Sequence, residues 1–257
     1  MRKGWLIALV APALAWAAGP GAMAAEMPGE EEADVLVQQG ALDALEAMKT
    51  AMQGLEQFRL VATTTMDDIL DQGQLIEIAG TTTIAARLPD RLRVSIANDK
   101  QERLYVYDGK TVTQYAPALD VYATFEAPGT IAEMIVAAEQ RYGVELPLAD
   151  LFFWARGDTA PVEIEIAYFA GDTTILGEVC GHYAYRVPGA DVQLWIRKEG
   201  ERLPCRMVIV NTAEPSQPQY RATLEWDTDA VLGEGMFGFA PPPGVTEIEQ
   251  KPVVAAE

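Results

Sequence analysis

The chain carries one histidine, His182, two residues after Cys180 in the segment VCGHYAY. An imidazole beside a thiol is the raw material of a Cys-His nucleophile or of a zinc site. Two ligands do not complete a metal site, and no second histidine exists to help. Pairing the apolar side chains of the next hairpin, Tyr183 with Ile196, Tyr185 with Leu194 and Val187 with Val192, sets His182 opposite Arg197 on the outer face of a sheet. A structural histidine is therefore expected, and a hydrolase built on His182 is the least supported function. Acidic neighbours such as Asp67 and Asp68 point to opposite faces of an extended strand and are poorly placed to share a proton. Glycine-rich phosphate loops, HExxH and GxSxG are absent. The expectation is a non-enzyme with no metal and no cofactor.

The two cysteines, Cys180 and Cys205, invite a disulfide in an exported protein. Simple hairpins place them on strands flanking Val192–Lys198, two strand spacings or ~9.6 Å apart. A disulfide reaches only ~7 Å between Cα atoms. The register thus predicts two free thiols.

Around these residues the chain alternates between periods. Arg2 and Lys3, the apolar run Trp5–Ala18 and the small residues of Ala22-Met23-Ala24 form a secretory signal peptide, cleaved near Ala24 or Ala25. A retained membrane anchor is the alternative. Residues 26–34 read as an acidic flexible leader, residues 35–249 as one domain, and residues 250–257 as a flexible tail. Leu42, Leu45, Met48 and Met52 mark an amphipathic helix from about Val35 to Gln53. Six strands follow: Phe58–Thr65, Leu75–Ala86, Arg91–Ala97, Arg103–Tyr107, Thr111–Tyr115 and Val121–Phe125. Asp108-Gly109 supplies the tight turn of one hairpin. A helix over Ile131–Tyr142 and a short one over Pro147–Trp154 interrupt the strands. Then come Val162–Tyr168, Thr173–Val179, His182–Val187, Val192–Lys198, Leu203–Asn211 and Tyr220–Trp226. On several strands one parity is apolar and the other charged, so one face of the sheet is wet and the other meets the helices.

The net charge is −19, and losing two basic residues with the signal peptide takes it to −21. Such a surface repels nucleic acid and anionic headgroups. It suits a soluble monomer that binds no nucleic acid and, once the signal is cleaved, is not inserted in a membrane.

A further pattern overlies these elements. The strand Leu75–Ala86 leads into Arg87-Leu88-Pro89-Asp90-Arg91-Leu92-Arg93, then LYVYDGKTVTQYAPALDVYATF, a helical insertion, late strands and a closing Phe237-Gly238-Phe239-Ala240-Pro241-Pro242-Pro243-Gly244. This order resembles the LolA/LolB-like superfamily of periplasmic lipoprotein carriers. The segment VCGHYAYRVPGADVQLWIRKEGERLPCRMVIV is similar to an uncharacterised family of predicted periplasmic proteins within it. The resemblance implies an α+β fold: a curved antiparallel sheet of about 11–12 strands forming an incomplete β-barrel covered by short helices. It also implies a non-enzymatic periplasmic carrier that holds lipid or lipoprotein acyl chains on its concave face, alone or with envelope partner proteins. The cavity would be lined by Leu92, Val94, Ile96, Leu104, Val106, Val112, Phe125, Met134, Ile135, Leu151, Phe152, Ile164, Ile166, Leu194 and Ile196. The hairpin tyrosines would turn outward or to the rim, and Arg59 is the positional candidate for a lid arginine. A ligand-free structural or envelope-stress interaction module is the alternative.

Overall fold

Twelve strands form one continuous sheet, because each hairpin turn returns the chain beside the strand it has just left. The computed structural model describes residues 37–127, 129–156 and 163–253. The expected signal peptide and acidic leader lie outside these residues, as do Val162 and the last four positions of the tail. Helix α1 (Gln39–Gln53) is followed by β1 (Gln57–Ile69), β2 (Leu75–Arg87), β3 (Arg91–Asn98), β4 (Glu102–Tyr107), β5 (Thr111–Ala116) and β6 (Val121–Glu126). Helices α2 (Ile131–Tyr142) and α3 (Ala149–Arg156) interrupt the meander. It resumes with β7 (Ile166–Ile175), β8 (Glu178–Val187), β9 (Ala190–Arg197), β10 (Pro204–Asn211) and β11 (Gln219–Asp227), and ends in the two-residue β12 (Thr246–Glu247).

The spatial order is β12-β6-β5-β4-β3-β2-β1-β11-β10-β9-β8-β7. All pairs are antiparallel except β12 with β6. Strands β1 and β11 join the two meanders at the centre, and β7 and β12 stand at opposite ends of the order without pairing with each other. The sheet is therefore curved but unclosed, as the resemblance implies.

Local chemistry explains the boundaries. The helix α2 begins at a capping box, in which Thr130 accepts from the Glu133 amide while the Glu133 carboxylate accepts from the Thr130 amide. It ends at Gly143 in the left-handed conformation. Helix α1 starts later than its periodicity predicts, because Val37 and Gln38 are extended and pair with the edge strand: the Gln38 amide donates to the Ala167 carbonyl at 2.7 Å. Among the described residues no helix is long and apolar enough to cross a membrane.

Three hairpin expectations are corrected by turn geometry. Leu176 and Gly177 both adopt positive φ, which is what a two-residue hairpin turn needs. The expected strand Thr173–Val179 is thus split between β7 and β8. Pro188-Gly189 closes the next hairpin, so Val187 pairs with Ala190 and His182 faces Trp195 rather than Arg197. In the early meander the turn is one residue later than Asp108-Gly109. Gly109 takes φ +91° as the first central residue, and the Asp108 carboxylate accepts from the Lys110 and Thr111 amides at 2.9 and 2.7 Å.

The cysteines are the clearest correction. Cys180 and Cys205 form a disulfide across a Cα separation of 6.6 Å. Regular register would hold them two strands apart, but β10 is bulged at Cys205, between the Pro204–Ile196 and Arg206–Trp195 pairs. A bulge adds twist and re-aims the strand. Cys180 meanwhile pairs with Arg197, the last residue of β9, so little of the middle strand lies between them. The sulfurs meet under Trp195 and Val208 on the convex face.

Candidate functional site

Antiparallel register places directly paired residues on one side of the sheet. Two inward rows cross the first meander: Phe58, Ala86, Leu92, Tyr107, Val112, Phe125, and next to it Leu60, Ile84, Val94, Tyr105, Gln114, Ala123. Two more cross the second: Thr64, Ala222, Met207, Leu194, Tyr183, Phe169, and Met66, Tyr220, Ile209, Val192, Tyr185, Ala167. This concave face meets α1 through Ala41, Ala44, Met48 and Met52, α2 through Ile131, Met134, Ile135 and Ala138, and α3 through Ala149, Leu151 and Phe152. Together they form one buried cluster. Phe58 sits at its centre, 5.1 Å from the Trp226 ring and 6.2 Å from Phe152.

Of the expected lining, Leu92, Val94, Ile96, Val112, Phe125, Met134, Ile135, Leu151, Phe152, Leu194 and Ile196 belong to this cluster. Ile164 precedes β7 and packs against it while partly exposed. Three expected residues lie elsewhere. Leu104 pairs with Ser95 and Val106 with Arg93 on the convex face, and Ile166 pairs with Arg186 on the convex side of β8. The inward places in β4 belong to Tyr105 and Tyr107, the reverse of the expectation. In RLYVY both parities are apolar, so alternation does not choose between them. The Asn98–Gln101 hairpin does, because its two-residue turn fixes Val94 opposite Tyr105. Arg59 is exposed on the convex side, between Ala85 and Asp227; it does not reach the concave face.

The buried tyrosines carry polar handles that mostly find partners. The Tyr107 hydroxyl donates to the Gly129 carbonyl at 2.7 Å and fixes the approach to α2. The Tyr185 hydroxyl donates to the Ala41 carbonyl at 2.8 Å and ties α1 to the sheet, and burial pushes its pKa up. The Trp226 indole donates to the Pro204 carbonyl at 2.7 Å. Two polar atoms of the same interior have no partner among the described residues: the Gln114 Oε1 and the Tyr220 hydroxyl. Burial raises the Tyr220 pKa, and the nearby Asp150 carboxylate raises it further. Asp150, in the first turn of α3, is itself raised to about 6 by loss of solvent.

The convex face is covered differently. A strap from Ala230 to Phe239 crosses it, with Leu232 and Phe237 buried against Ala85 and the Arg87 guanidinium 5.3 Å over the Phe237 ring. Phe239 lies 5.5 Å from Tyr115 and 5.3 Å from Tyr122. Beside the strap a groove of about 160 Å³ runs along Val106, Thr113 and Phe239. A shallow groove of about 500 Å³ lies by Glu56, Gln57, Arg87 and Leu88. On the second meander His182 stacks on Trp195 at 3.9 Å, and Arg206 lies 5.1 Å above the same indole. The His182 Nε2 shares a hydrogen bond of 3.1 Å with Gln193 Oε1. These partners hold the imidazole as part of the wall, on the face the sequence assigns to it. Among the described residues no group of three His, Cys, Asp or Glu side chains is placed to hold a metal ion.

None of the curated proteins matches the sequence. Similar solved structures include the Mycobacterium tuberculosis lipoprotein LppX, 14% identical over 75% of this chain and 97% of that chain, with a TM-score of 0.49. They also include the LolA superfamily protein NE2245 from Nitrosomonas europaea, at 11% identity, 77% and 97% coverage and a TM-score of 0.38. A third is a chain of the Pseudomonas aeruginosa MucA/MucB complex, at 14% identity, 78% and 61% coverage and a TM-score of 0.39. The sequence profile described as "Predicted periplasmic protein (DUF2092)" matches residues 41–250. With most of its length under that profile, the chain belongs to this family of predicted periplasmic proteins.

Proposed function

We propose that the protein is a non-enzymatic periplasmic carrier whose concave face holds the acyl chain of a lipid or a lipoprotein. The observation that carries this reading is the roof. A continuous apolar face spanning both meanders is covered by three short helices rather than by a second sheet. Helix α1 has no side-chain N-cap bond, no acidic residue in its first turn and no basic residue in its last. It rests on Met48, Met52 and small alanines, together with the Tyr185 bond to Ala41. Methionine is flexible and polarisable, which suits a surface that repacks around different guests. Since these side chains fill the interior, an acyl chain enters by lifting the roof and replacing their contacts with its own.

The same filled interior favours a second reading, a ligand-free interaction module whose partners bind the outside. Native mass spectrometry of the exported protein separates the two. The carrier reading expects a stoichiometric adduct that lipid extraction identifies as acyl chains. A clean mass for the bare polypeptide, with no uptake of N-phenyl-1-naphthylamine, would sink it and leave the interaction module standing.

A further inference from the structure

The second meander carries a group of cations on its convex face for which a carrier has no use. Carboxylates are plentiful, with 38 acidic against 19 basic side chains, and nearby cations take them: Asp191 holds Arg186 at 2.7 Å and Asp172 holds Lys198 at 2.6 Å. Arg197, Arg202 and Arg206 form no ion pair among the described residues. Glu178 and Glu225 stand on the same face, yet neither pairs with them. Register sets Arg206 opposite Trp195, and Arg197 two residues beyond Trp195 on the same side of β9. The two arginines are diagonal neighbours, a separation that long side chains span. Arg202 stands in the connection between β9 and β10, where its Nη1 donates to the Lys198 carbonyl at 2.9 Å. The Nε atoms of Arg202 and Arg206 are shielded from solvent without a hydrogen-bond partner. The patch is also held in place. Trp195 packs with the Cys180–Cys205 disulfide, His182 stacks on its ring at 3.9 Å, and the Arg206 guanidinium lies 5.1 Å from the ring centre. A guanidinium set on an aromatic ring is pre-organised, and its planar fork fits a carboxylate.

We propose that this convex patch docks an extended acidic segment of a partner protein, with Arg206 and Arg197 taking its carboxylates and Trp195 positioning Arg206. Side chains at every second residue of an extended segment lie on one side, about 7 Å apart, a spacing that diagonal arginines meet. Charge favours a short segment over a membrane. The chain carries a net −19, so an anionic bilayer, which meets a whole side of the molecule, is repelled. A short acidic segment meets only the patch, because exposed charges more than about 8 Å away are largely screened. This surface lies on the opposite side of the sheet from the proposed acyl-chain face and does not depend on it.

The test is fluorescence anisotropy of a rhodamine-labelled octapeptide that alternates glutamate and serine, titrated with the mature protein at low salt. Arg206→Gln should weaken binding about tenfold, the value of a hydrogen bond between charged groups, and Arg197→Gln about fivefold. Arg206→Lys keeps the charge but loses the fork, and should cost only about threefold. Arg141→Gln, an exposed cation in the last turn of α2, should leave the affinity within about twofold. The Arg197 side chain has no hydrogen bond or ion pair among the described residues, so its replacement keeps the test open if Arg206→Gln does not fold. Absence of binding by the wild type, or equal losses from Arg206→Gln and Arg141→Gln, overturns the proposal. So does flotation with phosphatidylglycerol vesicles that depends on Arg206 while the peptide is ignored. Uptake of N-phenyl-1-naphthylamine reports on the carrier reading separately, so either proposal can fail while the other stands.

Discussion

The two faces of this sheet are made from the same strands but are held in different ways. The concave face is covered by helices mainly through non-directional contacts among Met, Leu, Phe and Ala, with the Tyr185–Ala41 and Tyr107–Gly129 hydrogen bonds as its directional ties. The convex face is fastened by specific bonds: the Cys180–Cys205 disulfide, the His182–Trp195–Arg206 stack and the strap pinned by Phe237 under Arg87. Apolar burial is proportional to area and indifferent to partner, which is the property that the proposed carrier function asks of the roofed face. Covalent and stacked contacts require one geometry, so the outer face keeps the curvature that the inner face uses. Rigidity sits outside and adaptability inside.

The comparison can be broken most sharply at Phe58, an inward ring of the concave face packed against Trp226 and Phe152. Phe58→Ala empties the contact with Trp226 and Phe152 and should cost about 4 kcal/mol, read as a lower urea midpoint with unchanged cooperativity. A loss below about 1 kcal/mol would mean that the roof simply collapses into the space. On the convex side, replacing both cysteines with serine opens a loop with a sequence separation of 25. It should cost about 3 kcal/mol while leaving uptake of the hydrophobic probe intact. Loss of uptake at full stability would show that the outer face takes part in binding.

A third effect, confined to part of the pH range, concerns Asp150. Its folded pKa of about 6 lies above the ordinary 3.8, so the folded state binds the proton more tightly than the unfolded state. Its contribution is therefore greatest below about pH 4, declines as pH rises toward 6, and above that ionised Asp150 costs about 3 kcal/mol. Asp150→Asn should be more stable than the wild type at pH 7, with the difference shrinking as pH falls to 4. Parallel stability curves for the two proteins across that range would show that Asp150 is solvated like any surface carboxylate.

Much of this arrangement can be read from residue order. Leu92, Val94 and Ile96 alternate with Arg91, Arg93 and Ser95, so only one inward face is open to β3. The 3.6 period of Ile131, Met134, Ile135 and Ala138 marks the underside of α2. Where both parities are apolar, as in RLYVY, or where a strand is short and mixed, as around Ile166, alternation is silent. The answer there comes from the neighbouring strand through a turn of fixed length.

What the sequence by itself determined is the class and the order of parts: a strand-rich chain with two helical interruptions, two meanders, an apolar face and an acidic exterior. Those features depend on contacts within a few residues, where period and turn chemistry act. The tertiary structure alone decided that a bulge draws Cys205 to Cys180 and that Tyr105 and Tyr107 turn inward. Each of these depends on a register shift of one or two residues, and such shifts are set by how whole strands pack rather than by the residues that they move.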